Sequence, residues 1–262
     1  MTRVFGHFGE WVQGRLGPDG PLALLTVACP AVHVDIRRVD TGGLALDQDP
    51  AILDLPRARA FLSHVGGTAG RFSITATMPA GGGAGASTAA LVALARAAGG
   101  QEDALIDACI KAEGASDPLM LARPDGVLWA PREGRVLASV APLPKAEIIG
   151  GFWGAPVKTD PADLDFPDIS DLATGLQAGI GIEGLARMAT ASARRCTALR
   201  GPEDDPTEAL AQALGAYGYL RAHTGSARGL IFAPGTVPQG AEAALRSAGY
   251  AHVLCFETGG GS

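Results

Sequence analysis

Four glycines in five positions, Gly81, Gly82, Gly83 and Gly85, separate two segments of opposite periodicity, and no other stretch constrains the chain as strongly. Before them, residues 72–78 (FSITATM) place Phe72, Ile74, Ala76 and Met78 on one side and Ser73, Thr75 and Thr77 on the other, the pattern of a half-buried strand. Pro79 ends that strand. After the glycines, residues 87–99 (STAALVALARAAG) read as a helix, with Ser87 or Thr88 as its N-cap and Gly99-Gly100 as its stop. So many glycines weaken a fold unless a backbone shape or a close approach needs them. A glycine loop that opens a helix presents unpaired N–H groups and the positive end of the helix dipole, which together hold phosphate. A flexible turn, or tight packing of strand on helix, is the plain structural alternative.

What is absent narrows the kind of phosphate binder. The loop lacks the terminal GK[ST] of a Walker A motif. Gly81, Gly83 and Ala86 fit G-x-G-x-x-A, but a dinucleotide site also needs a second strand ending in an acidic residue about 20 positions on. Glu102-Asp103 stands at that distance between two helical patterns, the second covering roughly 103–112. Dinucleotide binding is therefore disfavoured.

The rest of the chain bounds the class of protein. It has 262 residues, 47% apolar and 18% charged, enough to fill a core and too apolar for disorder. Acidic residues outnumber basic ones 27 to 21, and basic runs do not exceed pairs such as Arg194-Arg195, so a nucleic-acid partner is not expected. No apolar run approaches a membrane span, and MTRVFGHFGEWVQG reaches Glu10 without the apolar core of a signal peptide. Cys29, Cys109, Cys196 and Cys255 show neither CxxC nor Cys/His metal spacing and read as buried thiols. A cytoplasmic protein without membrane partners is expected, and a homodimer is compatible with this composition.

Residues 22–39 hold two apolar runs broken at Pro30, suiting two strands or a bent one. Residues 127–140 read as a hairpin turning at Arg132-Glu133-Gly134, 145–153 as a strand and 155–168 as a loop. Three helical stretches then run to about 222, followed by a strand (229–233), a helix (238–249) and a strand (252–257). This is an α+β pattern with a soft boundary near 145, giving two lobes, 1–144 and 145–262.

Pro79-x-Gly81-x-Gly83-x-Gly85-x-Ser87-Thr88-Ala89 resembles the phosphate-binding motif of the GHMP kinases, a superfamily that includes galactokinase, homoserine kinase and mevalonate kinase. Further segments look like its L-threonine kinase branch, which serves cobalamin synthesis and propanediol utilisation. Gly9-Glu10-Trp11-Val12-Gln13-Gly14, followed by a strand ending at Ala28-Cys29-Pro30, resembles the CGE[LW]xQG signature of that branch. Gly114-Ala115-Ser116-Asp117 stands where it carries a PTD-like turn, and His223-Thr224-Gly225-Ser226-Ala227-Arg228-Gly229 resembles its C-terminal loop. The matches come in family order and span residues 3–235. The chain departs from the pattern at Ala86, where a first serine is usual, at Gly82 (often Lys) and at Ala90 (often Asp). Phe5, His7 and Phe8 stand where Pro, a small hydroxyl residue and Cys are usual.

The resemblance implies a two-lobed GHMP-kinase-like α+β fold, with an N-terminal mixed α/β nucleotide-binding lobe and a C-terminal ferredoxin-like α/β sandwich. It implies an ATP- and Mg²⁺-dependent kinase that phosphorylates the hydroxyl of a small molecule, most simply L-threonine, with homoserine or another hydroxy acceptor as the alternative. A nucleotide- or metabolite-binding sensor without turnover is a third reading, motivated by Ala86. Pro79, Gly81, Gly82, Gly83, Ala84, Gly85, Ala86, Ser87 and Thr88 would cradle ATP. Asp117 would be the catalytic aspartate; its plain alternative is an Asp opening the turn before Pro118. Ser87 would reach Mg²⁺ or the phosphates, with Glu113 as a carboxylate partner for the metal or simply a helix-end Glu. Glu10 and Gln13, polar in a Gly-rich apolar stretch, suit recognition of an amino group or hydroxyl, or form an edge-strand surface pair. His223, Thr224 and Ser226 would close over the substrate. Arg3 and Arg228 are candidate phosphate clamps.

Overall fold

Strand β1 (Thr2–Arg15) turns at Gly17–Gly20 and returns as β2 (Leu22–Asp40), a long antiparallel pair in the computed structural model, which describes residues 1–157 and 160–260. Lys158 and Thr159 of the expected 155–168 loop lie outside the described residues. The strand expected to end at Pro30 continues through it. Phe5 pairs with His33 while Gly6 pairs with Cys29, so residues 30–32 form a bulge, and Pro30, with no N–H for the ladder, sits inside it. A second irregularity lies in β1. His7 pairs with Ala28 and Glu10 with Thr26, and Gly9 between them has φ +68°. In a regular strand residues 7 and 10 point to opposite faces. The bulge puts both on one face, and the next register shift, between Glu10 and Val12, keeps Gln13 on that face too.

The strands order as β10-β7-β9-β8-β1-β2-β4-β3, where β3 is Ala45–Asp49, β4 Arg71–Ala76, β7 Ala146–Phe152, β8 Gly218–Arg221, β9 Ala227–Phe232 and β10 Ala251–Thr258. The hairpin β5 (Val127–Ala130) and β6 (Arg135–Ser139) attaches where Leu24 pairs with Trp129. Helix α2 (Ala86–Ala97) is buried on every side, as its Ala/Leu composition demands, and packs on β1 and β2 beside α1 (Leu55–His64) and α3 (Leu105–Glu113). Beyond the cleft, α4 (Ser170–Ala173) leads to α5 (Ile182–Arg200), which lies across β8 and β1; α6 (Thr207–Ala213) and α7 (Ala241–Ser247) complete the chain's helices among the described residues. From β7 onward, a strand, helices α4 to α6, two strands, a helix and a strand, in the sheet order β10-β7-β9-β8, make the expected ferredoxin-like arrangement. The molecule is α+β as anticipated.

Three elements were not expected from sequence. Strand β8 lies within a stretch read as helical to about 222, because GYLR is too short to show alternation. Strand β3 (ALDQD) is mostly polar, and α1 has few apolar residues for its period; Asp54 caps it through a bond from Arg57 N, 2.8 Å. Cys29, Cys109 and Cys196 are buried free thiols, but Cys255 is exposed on β10, contrary to expectation, because β10 is an edge strand with an open outer side.

Candidate active site

The glycine loop rests on β1 and on the turn before β9. His7 N and Gly9 N donate to the carbonyls of Ala84 and Gly83 (both 3.2 Å), and Ser226 N and Ala227 N donate to Gly82 O at 3.0 and 2.8 Å. Gly81, Gly83 and Gly85 all have φ near +75°, the left-handed region that suits glycine. A Cβ on Gly83 would overlap Ala222 and come within 2.7 Å of the Thr224 carbonyl; one on Gly85 would lie 2.7 Å from His7 Cδ2. The glycines therefore let the loop lie against protein on one side while its other side lines a cleft of about 660 Å³.

Helix α2 begins earlier than expected, with its N-cap two residues before Ser87. Gly85, in the left-handed conformation, is the N-cap position, and no side chain caps the helix. Ser87 and Thr88 lie inside the first turn and cap nothing. Their hydroxyls donate instead to Glu113 at the end of α3: Ser87 Oγ to Oε1 in a short bond, and Thr88 Oγ1 to Oε2 at 3.2 Å. Arg57 Nη1 also reaches Glu113 Oε1, at 3.3 Å. Burial pushes the Glu113 carboxyl above its ordinary value, against the pull of the Ser87 bond and Arg57. The first residues of α2 line the cleft and no side chain caps the helix, and an uncapped helix start of this kind is suited to an anion.

Asp117 follows α3 in a turn held from two sides. Ser116 N donates to Pro131 O (2.8 Å) and Trp129 Nε1 to Ser116 O (2.6 Å), while Asp117 N reaches Thr88 Oγ1 at 3.5 Å. The Asp117 carboxylate faces His7, with Oδ2 3.2 Å from Nε2. His7 Nδ1 lies 3.3 Å from Gly9 O and 3.8 Å from Glu10 Oε1. Glu10 Oε2 accepts the backbone N–H of His223 at 3.1 Å. Glu10 is 7% exposed, and burial pushes its carboxyl up to about 7 despite the nearby His7.

Of the residues expected at the site, Glu10, Gln13, Gly81 to Thr88, Glu113, Asp117 and Thr224 line the cleft. Glu10 is no surface pair; it is buried in the cleft floor. Four expectations need correction. Pro79 shapes the loop from outside the cleft, accepting from Gly82 N (3.2 Å). His223 stacks flat on Phe166, centroids 3.7 Å apart, with Nδ1 3.4 Å from Cys196 Sγ; burial pushes it down to about 3, and it does not line the cleft. Ser226 is buried, because its backbone is spent pinning Gly82 and Trp153. Neither Arg3 nor Arg228 is a clamp: Arg3 pairs with Asp35 across β2 (2.7 Å), and buried Arg228 pairs with Asp205 (2.7 Å). Sequence reasoning missed His7, Arg57, Arg132 and Phe166, all on the cleft wall. For His7 the signal was present as an unusual residue beside the Gly-Glu pair; for the others, spacing carries none.

No family model and no curated protein matches the sequence. The fold is that of the GHMP-family kinases. Among solved structures, mevalonate kinase from methicillin-resistant Staphylococcus aureus MRSA252 superposes with a TM-score of 0.61 at 17% identity, covering 99% of this chain and 98% of that one. Homoserine kinase from Cytophaga hutchinsonii gives 0.61 at 16% identity over 98% and 94% of the two chains. L. major mevalonate kinase, solved in complex with R-mevalonate, gives 0.64 at 14% identity over 98% and 95%.

Proposed function

We propose that the protein is an ATP-dependent small-molecule kinase that phosphorylates the hydroxyl of an amino acid, with L-threonine as the acceptor and O-phospho-L-threonine for cobalamin synthesis as the product. What carries this reading is one juxtaposition: an uncapped helix start behind a glycine loop, with a cleft-facing aspartate bonded through its backbone to the same helix turn, Asp117 N to Thr88 Oγ1. Phosphoryl transfer asks for little beyond such positioning and charge neutralisation. The solved kinases of like fold support the general class.

The residues present fit a nucleotide with its metal. Amides of the loop and of α2 would bind the phosphates. Among the described residues no cluster of three or more His, Cys, Asp and Glu forms a closed metal cage. Mg²⁺, which keeps phosphate and water ligands, would be held by Ser87 and Glu113 and would supply neutralisation of the transferred group's charge. Asp117 would accept or orient the acceptor's hydroxyl proton. Leu22, Leu24 and Ile52 give the cleft an apolar wall. The sensor reading, motivated by the missing serine at Ala86, is weakened because Thr88 brings a second hydroxyl to Glu113. Such an enzyme would work in the cytoplasm, where ATP is; among the described residues no helix is long and apolar enough to cross a membrane.

The test is purified protein with Mg²⁺ and ATP, offered threonine, serine, homoserine and propanediol-type alcohols. ATP consumption with formation of O-phosphothreonine is expected; no consumption with any acceptor overturns the reading. Homoserine is the second reading, because the unusual His7 lines the cleft itself. Competition between the two acceptors decides.

A further inference from the structure

We infer that His7 is a positioning residue: a buried imidazolium that ties the phosphate loop to Asp117 and fixes the aspartate's carboxylate at the acceptor end of the cleft. The inference rests on the kinase reading for the words "acceptor end", and on geometry for everything else.

Both ring nitrogens of His7 face acceptors. Nε2 meets Asp117 Oδ2 at 3.2 Å; Nδ1 meets Gly9 O at 3.3 Å and Glu10 Oε1 at 3.8 Å. A neutral imidazole carries one N–H, so one buried nitrogen would turn a lone pair toward an oxygen; the doubly protonated ring donates to both sides. A cation buried to 2% exposure is costly unless paired, and two carboxylates supply the pairing. The charged groups that face the ring are Glu10 from β1 itself and Asp117 from the turn after α3; the glycine loop contributes the uncharged Gly85, and Leu119 packs at the same point. Burial works against the charge, yet Asp117 and Glu10 outweigh it and push the imidazole up to about 9.

His7 is also anchored to the loop. Its backbone N–H donates to Ala84 O at 3.2 Å, and its ring is close enough to Gly85 that a single added Cβ would come within 2.7 Å. The same residue thus holds the loop by its backbone and Asp117 by its side chain. The β1 bulge at Gly9 makes this reach available by setting His7 and Glu10 on one face.

The test has a spectroscopic and a kinetic arm, both on the full-length protein. In ¹⁵N NMR of the histidine rings at pH 7.5, assigned by the signal lost in His7→Gln, both His7 nitrogens should show the imidazolium signature. Asp117→Asn should lower the His7 titration midpoint by about one unit or more. Kinetically, His7→Gln should lower kcat on the order of 10²-fold with ATP affinity little changed, since misplacement rather than lost binding is the defect. His7→Lys, which restores a cation, should recover part of the loss. A neutral His7 ring at pH 7.5, a midpoint unmoved by Asp117→Asn, or wild-type kcat in His7→Gln would each overturn the inference. If wild-type protein turns over no acceptor, the kinase reading fails on its own. The NMR arm then still decides whether His7 and Asp117 form a coupled ion pair. Should His7→Gln not fold, Asp117→Asn leaves the ring intact for the same measurement.

Discussion

Replacing Asp117 with Asn keeps the side chain's shape and its ability to open a turn but removes the charge that faces His7. If Asp117 receives the acceptor proton, kcat should fall about 10²–10⁴-fold while ATP affinity changes little, and melting temperature should fall by a few degrees because the buried His7 loses a paired carboxylate. One preparation suffices to measure all three, and near-normal turnover would leave the kinase reading without a base. Glu10 offers a pH test. Burial raises its folded-state value to about 7 from 4.5, so the folded state binds the extra proton. The associated stability is fully present below pH 4.5 and is lost as pH rises through about 7. Wild-type melting temperature should therefore decline across that window more steeply than that of Glu10→Gln, and parallel curves would refute the shift. Glu10 and Gln13 were legible in sequence because polar residues in a Gly-rich apolar stretch need a reason to be there. The place of His7 was not, because a strand's period of two sends residues 7 and 10 apart, and only the bulge at Gly9 reunites them. His223 was misread for the converse reason. It sits in a polar loop by sequence, but Phe166, 57 positions earlier, covers its ring.

At the scale of the element, the glycine loop and α2 act as one unit. Gly83→Ala should destabilise the protein and weaken nucleotide binding together, because the added carbon overlaps Ala222 behind the loop. Sequence reasoning would put the damage in front, inside the phosphate space; the structure moves it to the packed side. Calorimetric ATP titration alongside thermal melting checks this, and a variant of unchanged stability would show that the loop is free to shift. The helix was legible from its composition, but its first turn was not. Ser87 and Thr88 have good N-cap chemistry, yet the left-handed Gly85 takes the N-cap position and Glu113, 26 residues from Ser87, claims their hydroxyls. A local preference yields here to a charge that only tertiary packing brings near.

At the scale of the whole molecule, the sheet runs unbroken from β3 to β10, and a buried ion pair ties β9 to the segment ahead of α6. Arg228 on β9 pairs with Asp205 at 2.7 Å with side-chain exposures of 3% and 8%. Removing one partner leaves a charge buried without compensation, so Asp205→Asn should cost about 3–5 kcal/mol, or roughly 6–20 °C in melting temperature. The exposed Arg246–Glu242 pair on α7 is the control. Glu242→Gln should change stability hardly at all, because water screens that pair. Equal effects in the two variants would mean that burial does not separate them.

The α+β pattern, the glycine loop before a long apolar helix, and most of the cleft residues were determined by the sequence alone, since each rests on local periodicity or on residues whose chemistry is unusual where they stand. The tertiary structure decided what that chemistry faces. Bulges at Gly9 and Pro30 set the register of β1 on β2, and that register placed His7 beside Asp117 and Arg3 opposite Asp35. Charges cannot be buried singly, so buried Arg228 pairs with Asp205 ahead of α6, while the exposed Arg3 pairs with Asp35 on the neighbouring strand. Such pairings join residues up to 110 positions apart, as in His7 and Asp117, and depend on strand order and bulge position rather than on any spacing along the chain.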